Sequence, residues 1–192
     1  MSQPGPTEDA ALMALVARGE TSAFEQLVER HQTLVLGTVA RMLGSNSDVE
    51  DLAQQVFVRV WKSAPRYTPT AKFTTWLLTI TRNLVFNEMR RRKRHPADTL
   101  DVHQGEESLP LPDTHAQGPD AALLEGELQR AVDEAIRALP EKQRLAVILR
   151  RYEEKSYEEI ADVLELSVPA VKSVLFRARS ELREALNRYL TN

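Results

Sequence analysis

Apolar residues recur at helical rather than strand spacing along most of the chain. The clearest stretch runs from Ser47 to Trp61. There Val49, Leu52, Ala53, Val56, Phe57, Val60 and Trp61 fall at i, i+3, i+4, i+7, i+8, i+11 and i+12, which makes a helix with one apolar stripe. Ser47 and Glu50 have the spacing of a capping box at its start, and Pro65 and Pro69 limit its end. Before it, Ala11, Leu12, Leu15 and Val16 mark a helix over Glu8–Arg18 closed by Gly19, behind a disordered tail at residues 1–7. A second box, Ser22 and Glu25, opens a long helix to about Leu43, with His31 on its apolar stripe as a half-buried packing residue. Gly44-Ser-Asn46 is a turn.

The pattern continues at Phe73, where Trp76, Leu77, Ile80 and Leu84 share a face before the helix turns polar and basic. After a break, Asp120 can cap a helix in which Leu124, Leu128, Val132, Ala135, Ile136 and Leu139 face one way. Pro140 suits the first position of the next helix, which carries Leu145, Ile148, Leu149 and Tyr152. A third box, Ser156 and Glu159, starts a short helix with Tyr157, Ile160, Ala161 and Leu164 inward. The turn Glu165-Leu-Ser167 follows, and Ser167 caps a final helix whose buried side is Val171, Leu175, Ala178 and Leu182. No alternating β pattern appears, so the fold class is all-α. The arrangement reads as two small helical domains, 8–95 and 120–192, with a flexible acidic linker at 96–119.

Charge changes this picture. The 192 residues sum to −3, but the charge is segregated. Arg82 to His95 holds six Arg or Lys against one Glu; Pro96 to Glu127 holds eight acids and no base. The linker has four Pro, two Gly and no periodicity, and its 24 residues can span several tens of ångströms. Cys is absent, which excludes disulfides and thiolate metal sites. His95, His103 and His115 match no ligand spacing, so they are solvent-exposed and no cofactor or metal is expected. No apolar run reaches the roughly 18 residues of a membrane span. Without a signal-peptide pattern the expected location is cytoplasmic, and without a Gly-rich phosphate loop or a His/carboxylate set the chain is not expected to be an enzyme.

Two basic helices carry the candidate chemistry. In the first, Asn83, Asn87, Arg90 and Arg94 recur at spacings of 4, 3 and 4 and lie along one stripe. Asn beside Arg can contact phosphates and hydrogen-bond base edges. In the second, the short helix, tight turn and longer basic helix suggest a helix-turn-helix. Lys172, Phe176, Arg179 and Arg183 share a face there, flanked by Ser173 and Arg177.

These residues resemble a known family. Asp51-Leu-x-Gln-x-Val-Phe-x-x-x-Trp61, Phe73-x-Thr-Trp-Leu and Asn83-x-x-x-Asn87-x-x-Arg look like region 2 of bacterial sigma-70 family factors of the extracytoplasmic-function (ECF) type. Leu139-Pro140, Arg144, Ser156-Tyr-Glu-Glu-Ile-Ala161, Leu164, Ser167, Val171-Lys172-Ser173, Arg177-Ala-Arg179 and Leu182-Arg183 resemble region 4. The resemblance implies a factor that carries core RNA polymerase to promoters. Asp51, Leu52, Gln54, Gln55 and Val58 would meet the polymerase β′ clamp helices, with Phe57 and Trp61 packed inward. Arg82, Asn83, Asn87, Arg90, Arg91 and Arg94 would hold the −10 element, and the loop from Lys62 to Lys72 a flipped base. Ser167, Ala170, Lys172, Ser173, Phe176, Arg177, Arg179 and Arg183 would face the −35 element, with the β flap as region 4's partner. The resemblance also implies an anti-sigma factor as partner. The acidic linker would either thread a polymerase channel or act as a plain tether.

The sequence departs from the family pattern at several points. Glu165 stands where Gly is usual, Pro169-Ala170 replaces Gly-Thr, and Val174 replaces a basic residue. Gln55 stands for a common Glu and Asn87 for a common Asp. Two other readings compete: a stand-alone helix-turn-helix regulator, and an adaptor that mimics a sigma factor to sequester a partner.

Overall fold

The computed structural model describes residues 6–44, 48–94 and 119–187. Eight α-helices and one 3-10 turn account for them, and there is no strand among the described residues. The first lobe holds α1 (Pro6–Val16), α2 (Thr21–Leu43), α3 (Val49–Ser63), the 3-10 turn Ala64–Arg66 and α4 (Phe73–Arg94). The second holds α5 (Pro119–Ala138), α6 (Glu141–Arg151), α7 (Tyr157–Leu164) and α8 (Val168–Ala185). Residues 95–118, most of the expected linker with its His95, His103 and His115, lie outside the described residues, as does Ser47. The tail expected through residue 7 is already helical from Pro6, whose missing N–H costs nothing at a helix start.

The apolar stripes meet as their spacing dictates. Leu27, Val35 and Val39 of α2, Leu52, Val56 and Val60 of α3, and Leu77, Leu78 and Val85 of α4 are buried together. Phe73, at the first position of α4, is the largest fully buried side chain. It lies 5.0 Å from the His31 ring, 5.7 Å from Trp76 and 6.1 Å from Tyr67. Trp61 meets Phe24 edge-on at 5.1 Å. In the second lobe Leu145, Ile148 and Leu149 pack with Ile160, Val163 and Leu164 and with Val171, Leu175 and Ala178.

Several local expectations are corrected. Leu52 is buried in the core and does not face outward with Asp51. It sits at i+3 from buried Val49, so the stripe claims it. His31 is fully buried, not half-buried, and its Nε2 meets the buried Asp9 Oδ2 at 3.0 Å. A buried imidazole needs such a partner, and this one pins α1 across α2. Ser22 does not cap α2: the helix starts at Thr21 with Glu20 at the cap and no side-chain capping bond. At α3 the cap position is Asp48, whose carboxylate pairs with Arg92 at 2.5 Å instead of capping. Asp120 lies inside α5, and Pro140 stands at the cap of α6, one place before its first turn. Leu128 is 43% exposed despite its place on the α5 stripe. The two caps of the second lobe do form. Ser156 accepts from Glu159 N at 3.2 Å while its own N–H donates to Glu159 at 2.8 Å, and Ser167 accepts from Ala170 N at 3.3 Å.

The lobes pack on each other, α4 against α7 and α2 against α5 and α6. Arg144 stitches this seam. It donates to the carbonyl of Met42 at 2.7 Å, to that of Leu139 at 3.2 Å and to that of Arg137. Carbonyls in the last turn of a helix lack intrahelical partners, and a guanidinium with several donors satisfies more than one of them.

The caps differ in consequence. Ser156→Ala is expected to lose about 1 kcal/mol in urea unfolding, and Ser22→Ala no more than about 0.5 kcal/mol. Equal losses would contradict the assignment.

Candidate nucleic-acid interface

The α4 helix changes character at Arg82. Up to that point it is held between α2 and α3; beyond it, Asn83, Asn87, Arg90, Arg91 and Arg94 are exposed. The exposed part is ordered by internal bonds. Arg90 Nη2 donates to Asn87 Oδ1 at 2.8 Å and its Nε to the Phe86 carbonyl at 3.2 Å. Glu88 holds Arg91 at 2.8 Å and Arg92 at 2.9 Å. The hydrogen bond from Arg91 leads in keeping the Glu88 carboxyl below its ordinary range, against its own burial and with help from Arg92. A sole acid among five bases therefore stays ionised and spaces the guanidinium groups along the helix.

Arg82 behaves differently. Its side chain is only 7% exposed, because α7 of the second lobe covers it. Nη1 donates to the Val163 carbonyl at 2.7 Å and Nη2 to Glu165 Oε1 at 2.7 Å. Nε and Nη2 also reach Asn83 Oδ1, at 3.1 and 2.7 Å. Sequence reasoning placed Arg82 with the phosphate-holding residues; in this arrangement it is spent on the second lobe.

A hollow of about 340 Å³ is lined by Thr68, Thr70, Ala71, Thr75, Trp76 and Thr79 of the first lobe and by Asp162 of α7. Tyr67 stacks edge-on to Trp76 at 4.8 Å and fixes its wall. Hydroxyls and an aromatic wall are the chemistry that receives a nucleobase. The expected loop thus supplies three lining residues; α4 supplies three more and α7 supplies Asp162, none of which the loop boundaries included.

The helix-turn-helix is α7, the turn Glu165-Leu-Ser167, and α8. Glu165 has φ 54° and ψ 50°, the left-handed conformation that favours Gly. A non-Gly residue there carries roughly 1 kcal/mol of strain. On α8, Lys172, Ser173, Phe176, Arg177, Arg179 and Arg183 are exposed, as is Ser167; Ala170 is half-buried. Phe176 is 72% exposed, an apolar ring with nothing over it in the middle of a cationic face. Val174 turns toward the core and does not join that face.

Also in the first lobe, α3 exposes Asp51, Gln54, Gln55 and Val58, while Phe57 is buried and Trp61 half-buried. Val58 is 49% exposed and shares a shallow groove with Gln55, Arg59 and Lys62. Arg59 and Lys62 are groove residues that the motif did not single out; their i+1 and i+4 spacing from Val58 was the available signal. Among the described residues no cluster of His, Asp or Glu is arranged to hold a metal, and no helix is long and apolar enough to cross a membrane.

The fold and these faces define a helix-turn-helix protein with a second, separate cationic helix in its other lobe. Residues 27–95 match Sigma-70 region 2, and residues 129–182 match Sigma-70, region 4. The RNA polymerase sigma-H factor of Pseudomonas aeruginosa is 34% identical over 185 residues, covering 93% of this chain and 94% of that protein. The ECF RNA polymerase sigma-E factor of Haemophilus influenzae is 32% identical over 181 residues, covering 93% and 95%. The sigma factor RpoE of Bartonella quintana, solved with the anti-sigma factor NepR, superposes with a TM-score of 0.65 at 25% identity, covering 85% of this chain and 96% of that one. The chain belongs to the sigma-70 family of RNA polymerase sigma factors, in its extracytoplasmic-function branch.

The charge at the seam has a pH consequence. The hydrogen bond from Arg82, then its charge, holds the Glu165 carboxyl below the ordinary range. Burial opposes ionisation of Glu159, but the Ser156 backbone N–H and Lys72 outweigh it and its carboxyl is also lowered. Groups lowered in the folded state stabilise it above the ordinary carboxylate range, and that contribution is lost as pH falls through the folded value. Glu153 has the opposite sign, raised by burial against the pull of Arg41. Stability in urea is therefore expected to fall on acidification below about pH 5, and Glu165→Gln to flatten that fall. An unchanged slope in the variant would show that the Arg82 pair contributes nothing.

Proposed function

We propose that the protein initiates transcription by docking core RNA polymerase on the outer face of α3 and gripping promoter DNA at two stations. Asp51, Gln54, Gln55 and Val58 meet the polymerase clamp. Asn83, Asn87, Arg90, Arg91 and Arg94 of α4, with Arg82 once uncovered, take the −10 element. The hollow walled by Trp76 receives a base flipped from the opening duplex. The α8 face of Lys172, Ser173, Phe176, Arg177, Arg179 and Arg183, with Ser167 and Ala170 at its start, enters the major groove of the −35 element. The domains are assigned accordingly: 8–95 to polymerase and −10 binding, 96–119 to a linker, 120–192 to −35 binding and the β flap.

One observation carries this reading. Two separate exposed cationic helix faces, each with residues able to address bases, occur in one chain, and the first lobe adds a third exposed surface on α3, where Val58 shares a groove with Gln55, Arg59 and Lys62. A stand-alone regulator needs only the α8 face. The protein does not itself catalyse a reaction; it works in the cytoplasm of a bacterium and binds no cofactor. RpoE of Bartonella quintana has been solved with an anti-sigma factor, and a partner of that kind is expected here.

Run-off transcription with purified core polymerase tests the assignment. Arg90→Ala and Arg179→Ala are each expected to cut transcript yield about tenfold, the cost of one lost specific contact. Val58→Asp is expected to weaken core binding by a similar factor, since it replaces the exposed apolar side chain of the α3 face with a charge. Retention of full transcription by all three variants would contradict the assignment.

A further inference from the structure

A buried polar pair ties the first helix to the rest of its lobe. Asp9 of α1 and His31 of α2 are both buried. A carboxylate accepts, so the ring nitrogen that faces it donates. His31 Nε2 reaches Asp9 Oδ2 at 3.0 Å, and Arg30 Nη1 reaches Asp9 Oδ1 at 3.5 Å. Consecutive residues of α2 thus engage both carboxylate oxygens. The cohesion of the lobe does not require this pair. Two apolar side chains of similar shape hold helices together at least as well as a buried polar pair, which gives up its hydration. What the pair adds is direction: a hydrogen bond fixes the rotation of the His31 ring, and an apolar contact does not.

That direction is passed on to the hollow. The His31 ring lies 5.0 Å from Phe73, the fully buried first residue of α4. Phe73 lies 5.7 Å from Trp76, which lines the hollow, and 6.1 Å from Tyr67, which stands edge-on to Trp76 at 4.8 Å. Asp9 acts on the same cluster from its other end. Burial first, and then the charge of Asp9, pushes the Tyr67 hydroxyl above its ordinary range. The α1 helix also packs on the 3-10 turn Ala64–Arg66 and on α4, the two elements that bracket residues 67–72. The pair therefore backs both flanks of the segment that brings Thr68, Thr70 and Ala71 to the hollow.

We propose that Asp9 and His31 are positioning residues for promoter opening: through Phe73 and Tyr67 they hold the Trp76 wall in the one placement that receives a flipped base. Both are buried, so neither touches DNA. The inference rests on the base-receiving reading of the hollow given above. A base leaves the stack only against its stacking energy, so the pocket has to be formed before the base arrives. Such a site works when the residues behind it hold its side chains to within about 0.5 Å.

Stability and opening are then separable, and one variant separates them. In the full-length chain, Asp9→Leu/His31→Phe replaces the pair with apolar side chains and is expected to unfold at the same urea concentration as the parent or a higher one. The template is a duplex fragment that the parent with core polymerase selects from randomised DNA. Run-off by the double variant from that duplex is expected to fall about tenfold, the cost of a displaced wall. On the same fragment with its −10 segment mismatched and already open, run-off is expected to recover to within about twofold of the parent, because the unstacking is done beforehand. Asp9→Asn keeps an acceptor for His31 and is expected to stay within about twofold of the parent on both templates. Trp61→Phe leaves Trp76 as the only Trp; in that background the double substitution is expected to shift the Trp76 emission and raise its quenching by acrylamide. A double variant that unfolds at lower urea, transcribes the duplex like the parent, loses equally on both templates or leaves the Trp76 signal unchanged would overturn the proposal, as would an equal loss in Asp9→Asn. Trp76→Ala is measured alongside and is expected to lose run-off on the duplex alone. If it transcribes the duplex like the parent, the base-receiving reading fails and the inference with it; if it loses run-off while the double variant does not, the positioning alone fails.

Discussion

A guanidinium withdrawn from water costs several kcal/mol unless its N–H groups find acceptors, and the placement of Arg82 follows from that constraint. It sits where α4 stops being a core helix and starts being a surface helix. Its acceptors come from its own neighbour and from a helix 81 positions later in the chain. The two lobes therefore share one polar junction at the point where the first lobe's cationic face begins. The Lys72, Lys93 and Arg41 pairs ring that junction with the same polarity.

The helix α4 carries both roles because its two faces are chemically distinct. Phe73, Leu77, Leu78, Leu84 and Val85 are buried in the first lobe, and no substitution on the exposed cationic side needs to disturb them. Conversely, Asn83, Asn87 and Arg90 add nothing to the core. A site built on a rigid element in this way holds its side chains more closely than one on a loop. The Tyr67–Phe73–Trp76 aromatic cluster extends that rigidity to the hollow that Trp76 lines.

Much of this was legible in the residues. Helix existence, the apolar stripes of α2, α3, α6 and α8, and the Ser156 and Ser167 caps follow from local spacing, and the structure has them. The resemblance carried by the Asp51–Trp61 and Ser156–Arg183 motifs identified the family. What local pattern could not supply was anything set by a distant partner. Arg82 reads as one more base in a run of bases, and only α7 explains its burial. His31 reads as a packing residue, and only Asp9 explains how an imidazole tolerates the core. Ser22 and Ser47 have the right spacing to cap, yet Glu20 and Asp48 occupy the cap positions, because helix ends respond to chain entry as well as to side-chain type. Leu128 keeps the stripe of α5 without a neighbour to bury it. Glu165 was recognisable as a strained turn residue, but its purpose was not, since its partner lies in the other lobe.

The proposed function requires α4 and α8, whose lobes pack on each other in this structure, to reach two separate promoter elements, so the lobes must part on polymerase. Spin labels at Gln26→Cys on α2 and Glu184→Cys on α8, both exposed positions in a chain without native Cys, give the distance between lobes directly. The account predicts one short, narrow distribution for the free protein and a clearly longer one after core polymerase is added. The same distribution in both states, or a broad one in the free protein, would contradict it.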